Sequence, residues 1–372
     1  MTLGRFWRWV WKIIVGLLLV LTAITGALLV YRAWRLHQAD QQLTIDAASG
    51  IDEAMFLPIG GRPQWVTIRG QDRNAPIVLL LHGGPGATAR GGALEFLSLE
   101  QDFVVVQWDQ PGAGRTFGAA SRTIDPNLSI DAIVRDGNEL ALSLERHLHQ
   151  PRIVLLGWSW GSMLGVKMIK AMPELFSAYV GTGQIVSMQD GEALAYRRVL
   201  AKARQRQDWD AIEALERIGP PPYDSFSELG VQRTYASRYE GESILFQVLW
   251  GTFLTPRGSL VDVYDSLSGM RQSQDHFFGA TMNGPFMRQD LRQLGERFDL
   301  PVFVIEGTED DYTPADLSRD WVAGLSAPAK GFIAIEGAGH LALVTRSDEF
   351  AEVMRDRVRP IAMERRTNTI FR

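Results

Sequence analysis

Ser159 lies in the run Gly157-Trp158-Ser159-Trp160-Gly161, between an apolar segment, Arg152 to Leu156, and a helix-patterned segment, Ser162 to Met172. A Gly-x-Ser-x-Gly run placed between a strand and a helix makes a sharp turn that lifts a serine hydroxyl clear of the sheet. The small Gly157 and Gly161 let the chain turn that tightly. The five-residue pattern alone is weak; its placement gives it weight. The chemistry it suits is acyl transfer through a covalent acyl-enzyme. A serine hydroxyl is a poor nucleophile at neutral pH, so it needs a base within hydrogen-bond reach and a third group to orient that base.

For a serine at such a turn the chain order is serine, acid, histidine. Beyond Ser159, Val302 to Gly307 leads into Thr308-Glu309-Asp310-Asp311, and Phe332 to Ile335 leads into Glu336-Gly337-Ala338-Gly339-His340. Of the six histidines, His37 is near the amino terminus and His82 precedes the serine. His147 and His149 end a helical pattern, and His276 lies in a helical block. Only His340 combines the right order with a strand end, and it is the expected base. Asp310, three residues after Gly307, is the expected acid, with Asp311 its competitor. The oxyanion of the tetrahedral intermediate needs preorganised donors. The backbone N–H of Trp160 is one, and that of Gly84, in the turn after Ile77 to Leu81, is the other.

These residues require a sheet whose strands end at one edge. Met55 to Pro58 and Gln64 to Arg69 flank Gly60-Gly61 as a hairpin. Apolar runs follow at Ile77 to Leu81, Phe103 to Trp108, Ile153 to Leu156 and Ala178 to Val180, with a helical period from Ile130 to Leu148. Continuous apolar strands alternating with helices indicate a mostly parallel sheet covered on both faces. The alternation stops from about Met188 to Glu296, a helix-like stretch carrying Tyr196, Trp209, Tyr235, Tyr239, Phe246, Trp250 and Phe253. It resumes at Pro301. A helical block between two parts of a sheet falls as a lid over the carboxyl ends of the strands, where sites in such folds lie. The expected divisions are an anchor with its flanks over 1–36, a stalk over 37–50, a core over 51–187, a lid over 188–297 and the rest of the core over 298–372.

Ile13 to Val30 is an uncharged apolar run long enough to cross a hydrocarbon core. Trp7, Trp9 and Trp11 precede it, and Tyr31 and Trp34 follow, as interfacial aromatic belts do. Arg5, Arg8 and Lys12 against Arg32, Arg35 and Asp40 give a small positive-inside bias. The expected topology is a single span with a cytoplasmic amino terminus and the catalytic part outside. The alternative is a signal sequence cleaved near Thr25-Gly26-Ala27, leaving a secreted protein. Elsewhere the 372 residues, 46% hydrophobic and 22% charged, have globular composition. The net charge of -5 gives no general attraction to nucleic acid. With no cysteine there is no disulfide, thiolate nucleophile or Cys-held metal.

His82-Gly83-Gly84-Pro85-Gly86, Asp109-Gln110-Pro111-Gly112-Ala113-Gly114-Arg115-Thr116 and Gly157-Trp158-Ser159-Trp160-Gly161-Ser162 together resemble the prolyl iminopeptidase family. The resemblance runs from about Pro58 to Ala362, with Pro111 standing where that family usually has arginine. It implies an α/β-hydrolase fold with an inserted helical lid, here preceded by one transmembrane helix. It implies removal of an N-terminal residue, often proline, from peptides by a Ser-His-Asp triad without metal or cofactor. It also implies lid glutamates that hold the substrate ammonium; Glu192, Glu240 and Glu242 are the candidates. The alternative function is a carboxylesterase or lipase-like hydrolase of apolar esters near a membrane, since an aromatic lid packs an acyl chain as well as a proline. A non-enzymatic binding protein of the same fold is the third reading, disfavoured because no triad member is missing. Partners are a peptide or small ester and the membrane; the oligomeric state stays open.

Overall fold

The computed structural model describes residues 3–370. Helices of ten residues or more are numbered in chain order. Eight strands form one sheet in the order β1-β2-β4-β3-β5-β6-β7-β8. β1 (Ile51–Ile59) and β2 (Arg62–Gly70) form the antiparallel hairpin, turning at Gly60 and Gly61, whose φ values of 58° and 72° suit glycine. β2 pairs antiparallel with β4 (Val104–Trp108); the remaining pairs are parallel. These are β3 (Ile77–Leu81), β5 (Ile153–Trp158), β6 (Phe176–Thr182), β7 (Val302–Gly307) and β8 (Lys330–Ile335). Alternate side chains of β3 feed two cores. Ile77, Leu79 and Leu81 join the cluster on one face, and Val78 and Leu80 the cluster on the other. Burial on both faces is why the strands read as unbroken apolar runs.

Chain order puts β4 on one side of β3 and β5 on the other. Loops leaving β3 and β5 at their carboxyl ends therefore diverge, opening a crevice at this switch in direction. Both the Gly83-Gly84 turn and Ser159 lie there.

Helices α2 (Ile130–Leu148) and α3 (Trp160–Ala171) cover the first half of the sheet. The lid consists of α4 (Met188–Arg206), α5 (Trp209–Ile218), α6 (Phe226–Glu240), α7 (Ile244–Phe253) and α8 (Leu260–Phe278). Serines 187, 225, 243 and 259 and Asp208 cap the starts of these helices, each side chain accepting a backbone N–H. α9 (Ala315–Gly324) and α10 (Arg359–Ile370) follow in the second part of the core.

Helix α1 runs without a break from Leu3 to Gln42. It is long and apolar enough to cross a membrane, and its most apolar window has no buried residue. The stalk expected over 37–50 takes a different form: its first six residues continue the helix, and Ala39 and Leu43 are buried against the folded domain. Asp40 pairs with Arg257 at 3.0 Å, and Arg69 donates to the Leu43 carbonyl at 2.7 Å. Apolar residues spaced four apart bury one side of an otherwise polar helix end, so a polar composition did not mean a free linker.

The turn after β5 leaves no room at Gly161: a Cβ there would stand 2.1 Å from the Leu81 carbonyl oxygen. Gly161→Ala is expected to cost more than about 3 kcal/mol, read as a lower urea midpoint. Gly230, in α6 with nothing within 4 Å of its would-be Cβ, is the control. Alanine there should stabilise by about 0.5–1 kcal/mol.

Candidate active site

Ser159 has φ 54° and ψ -119°. A non-glycine residue is held in that region only where its surroundings over-determine it. Gly157 and Gly161 permit the approach of β5, α3 and the β3 loop: a Cβ on Gly157 would meet the Ser162 Cα at 2.6 Å. The turn points Ser159 into a cavity of about 870 Å³ that Gly83, Gly84 and His340 also line. Among the described residues the Ser159 hydroxyl has no hydrogen-bond partner. Such bonds are often loose before substrate binds.

The three sequence motifs lock onto one another behind the cavity. Gln110 accepts from Trp160 Nε1 at 2.9 Å and donates to the His82 carbonyl at 3.4 Å. The Gln110 backbone N–H donates to His82 Nε2 at 3.2 Å, so the ring's proton is on Nδ1, 2.7 Å from the Gly83 carbonyl oxygen. Burial pushes the His82 pKa down to about 4, leaving a neutral ring that braces the glycine turn. Trp160 is the first residue of α3, where backbone N–H groups lack helical partners and a negative charge is favoured. Gly83 lies against the serine: its would-be Cβ stands 3.4 Å from Ser159 Cβ.

His340 Nδ1 lies 2.8 Å from Asp310 Oδ2. With that nitrogen engaged, Nε2 is the one left for the cavity. Tyr312 stacks on the imidazole at 5.1 Å, and Trp158 Nε1 donates to the His340 carbonyl at 3.3 Å. Asp310 accepts the backbone N–H groups of Tyr312 and Thr313 on Oδ1 and the Thr313 hydroxyl on Oδ2, each at 2.8 Å. Burial pushes its carboxyl up, but His340 and the Thr313 donors outweigh that and hold it below the usual aspartate range. Asp311 faces the other way. Arg198 Nε reaches it at 3.1 Å and Lys202 Nζ at 2.7 Å, tying lid helix α4 to the β7 loop.

Two further carboxyls crowd this pair. Glu306, at the end of β7, is fully buried and accepts from the Gln184 backbone at 3.2 Å and from Ser318 at 3.2 Å. Burial, then the charge of Asp310, push it well above the glutamate range. Motif order does not single out Glu306, although a lone carboxyl ending the apolar run Val302 to Ile305 is a visible signal.

The three lid glutamates separate. Glu192 lines the cavity, pairs with Arg233 through Oε1, and has Oε2 buried without a hydrogen-bond partner among the described residues. Arg233 also lies 4.8 Å above the Tyr312 ring. Glu240 and Glu242 are absent from the cavity wall. Of the three candidates, only Glu192 lies on this wall. Glu240 instead accepts the Asp311 N–H at 2.7 Å and the His340 N–H at 3.1 Å, bridging the loops that carry Asp310 and His340. Gly339 makes the room, since a Cβ there would stand 2.4 Å from Glu240 Oε2. Glu242 Oε1 accepts from the Thr345 hydroxyl at 2.9 Å. Glu240 ends α6, and Glu242 lies two residues beyond it.

A serine presented on a strand-to-helix turn, over a mostly parallel sheet with a helical lid, defines the class as an α/β hydrolase. The chain belongs to the alpha/beta hydrolase family, whose model matches residues 78–353. A probable aminopeptidase, YbaC of Bacillus subtilis (strain 168), is 28% identical over 309 residues, 80% of this chain and 93% of that protein. The proline iminopeptidase of Lacticaseibacillus rhamnosus (strain Lc 705) is 24% identical over 303 residues, 80% of this chain and 95% of that protein. The crystal structure of the Mycobacterium smegmatis proline iminopeptidase has a TM-score of 0.60 at 20% identity, covering 84% of this chain and 99% of that one. The resemblance read from the three motifs is thus met across most of the chain.

Asp310→Asn is expected to lower kcat on an activated ester by about 10³–10⁴-fold. Asp311→Asn is expected to lower the urea midpoint while leaving kcat within a few-fold; the reverse pattern would exchange their roles. Burial and the charge of Asp310 push Glu240 from 4.5 up to about 9. Below pH 4.5 this carboxyl is protonated in both the folded and unfolded chain. Above that the unfolded chain releases the proton first, so stability falls as pH rises toward about 9. Glu240→Gln removes this titration. The stability difference between variant and parent should therefore shift steadily in the variant's favour from pH 5 to about pH 9, and a pH-independent difference would contradict the assignment.

Proposed function

We propose that the chain is a serine hydrolase that removes N-terminal residues, proline among them, from peptides. The observation that carries this is the His340–Asp310 bond at the wall of the cavity that also holds Ser159. Ser159 Oγ attacks the carbonyl carbon and passes its proton to His340 Nε2 while Asp310 steadies the imidazolium. The backbone N–H groups of Trp160 and Gly84 receive the oxyanion. Collapse of this intermediate breaks the C–N bond, and His340 returns the proton to the leaving amine. Water, deprotonated by the same ring, then releases the acyl group from Ser159. The free Oε2 of Glu192 supports an amine-bearing substrate, because an ammonium entering the cavity would give that oxygen the partner it lacks.

A second reading, hydrolysis of apolar esters, draws on the size and lining of the cavity. About 870 Å³ is far more than one proline needs, and Ile185, Val186, Phe226, Leu229 and Val248 are among its walls. The location we propose is a membrane, held by α1 as a single uncleaved span with its amino terminus in the cytoplasm and the sheet domain outside. The aromatic residues flanking the apolar run and the packing of its carboxyl-terminal end on the domain support it.

Ser159→Ala should abolish turnover of every substrate; retained turnover would remove Ser159 from the mechanism. Glu192→Gln is expected to lower kcat/KM for a proline aryl-amide about 10–100-fold, the worth of a charge-assisted hydrogen bond. Activity on a p-nitrophenyl ester lacking an amine should hold. Equal losses on both would reject the amine role, and an ester preference in the parent enzyme would favour the second reading.

A further inference from the structure

Helix α7 has no buried residue, and its sequence, Ile-Leu-Phe-Gln-Val-Leu-Trp-Gly-Thr-Phe, carries no charge. Leu245, Phe246 and Leu249 are 66%, 58% and 44% exposed. The start of α8 extends the patch with Leu260, Val261 and Tyr264, which are 52%, 55% and 60% exposed. Large contiguous apolar surfaces of this kind mark a contact.

The neighbouring helix α1 indicates what covers it. α7 packs on α1 where the apolar run of α1 ends. Arg32 Nε donates to the Phe253 carbonyl and Arg32 Nη2 to the Gly258 carbonyl, both at 2.8 Å. Tyr31 meets Trp250 at 6.0 Å, and Arg32 sits 5.6 Å above the Phe253 ring. Tyr31 and Arg32 directly follow the apolar run Ile13 to Val30, so whatever touches them lies at the depth of the headgroup boundary. The Asp40–Arg257 contact lies about 12 Å further along the helix, at 1.5 Å per residue, and fixes the angle between α1 and the domain. Phe246, Trp250 and Phe253 form an aromatic row along α7, with Phe246 and Trp250 stacked at 5.9 Å. Leu245, at the edge of this exposed face, and Ile244 and Val248 on the adjoining side of α7 form part of the active-site cavity.

We infer that the exposed face of α7 and the start of α8 is seated in the lipid leaflet that holds the end of α1, so that the cavity beside Ser159 fills from the membrane surface. The substrate class this favours is amphipathic, with an apolar portion dissolved in the leaflet and the scissile carbonyl at the boundary. The inference rests on the reading of α1 as a membrane anchor. A helix that both touches lipid and walls the cavity gives an apolar group a short path to the serine without crossing water.

The chain has no cysteine, so a single introduced one can be labelled cleanly. The full chain would be reconstituted in phosphatidylcholine–phosphatidylglycerol vesicles with an environment-sensitive dye at Leu249→Cys, at Leu21→Cys in the apolar run, or at Asp299→Cys at the far end of the sheet. The expected result is blue-shifted emission, quenched by brominated lipid, at positions 21 and 249 but not at 299. Quenching at 21 with a water-like signal at 249 overturns the inference and leaves the anchor standing. A water-like signal at 21 overturns the anchor, and the inference with it. Blue-shifted emission at 249 that bromine does not quench means that another copy covers α7, which also overturns it. The double variant Phe246→Ser, Leu249→Ser touches neither the cavity wall nor the proposed machinery. It should keep its rate on p-nitrophenyl acetate within about twofold and lose about tenfold or more on a long-chain ester dissolved in the vesicles. Equal retention on both substrates overturns entry from the membrane.

Discussion

Ser159 is held at φ 54°, in a backbone conformation that serine does not adopt freely, and the surrounding structure is what holds it there. β5 and α3 must leave and enter the turn within one residue of it. Gly157 and Gly161 supply the space, and the Leu81 carbonyl fills it to contact. The β3 loop is thereby drawn against the serine, with Gly83 beside it. Neutral His82 and Gln110 then fasten that loop to the β4 loop and to Trp160. Neither His82 nor Gln110 lines the cavity. Together they remove the freedom that would let the turn relax and the hydroxyl swing back toward the sheet.

The second half of the site is organised by charge rather than by sterics. Asp310, Glu306 and Glu240 gather in a buried volume that cannot hold three anions. Their donors differ. Asp310 has two backbone N–H groups, the Thr313 hydroxyl and His340, and is held low. Glu306 and Glu240 are pushed up by burial and by the charge of Asp310 itself. Glu240 still does structural work, because it comes from the lid and binds the backbone on both sides of the Asp310–His340 pair. Together with the Asp311 contacts to Arg198 and Lys202, this makes lid and site one unit. A shift of α6 would move the imidazole.

The lid also connects to the amino-terminal helix. α7 forms cavity wall along one side and an exposed apolar surface along the adjoining one, and it is fastened at its end to Arg32. The orientation of the sheet domain relative to α1 is set by these contacts and by Asp40–Arg257 rather than by a loose connection.

What was legible in the sequence was local. The turn at Ser159 is made by glycines within two residues of it, the hairpin by Gly60-Gly61, and the strands by apolar runs whose two-sided burial shows in composition alone. The apolar run of α1 is legible for the same reason. Chain order and strand-end position singled out His340, because both are properties of the sequence as a line. The choice between Asp310 and Asp311 was different: adjacent carboxylates have the same local chemistry, and only the loop's conformation turns one to His340 and the other to Arg198 and Lys202. The lid glutamates were equivalent on paper for the same reason. Glu192 lines the cavity while Glu240 lies against Gly339, because the packing of α6 on a glycine 99 residues further on is a long-range fact. Residues 37–43 read as polar linker because burial of Ala39 and Leu43 depends on a surface made elsewhere in the chain. Sequence by itself determined the elements and the order of the reactive groups; the tertiary structure decided which carboxyl faces which partner, since that depends on charges and donors brought together from distant segments.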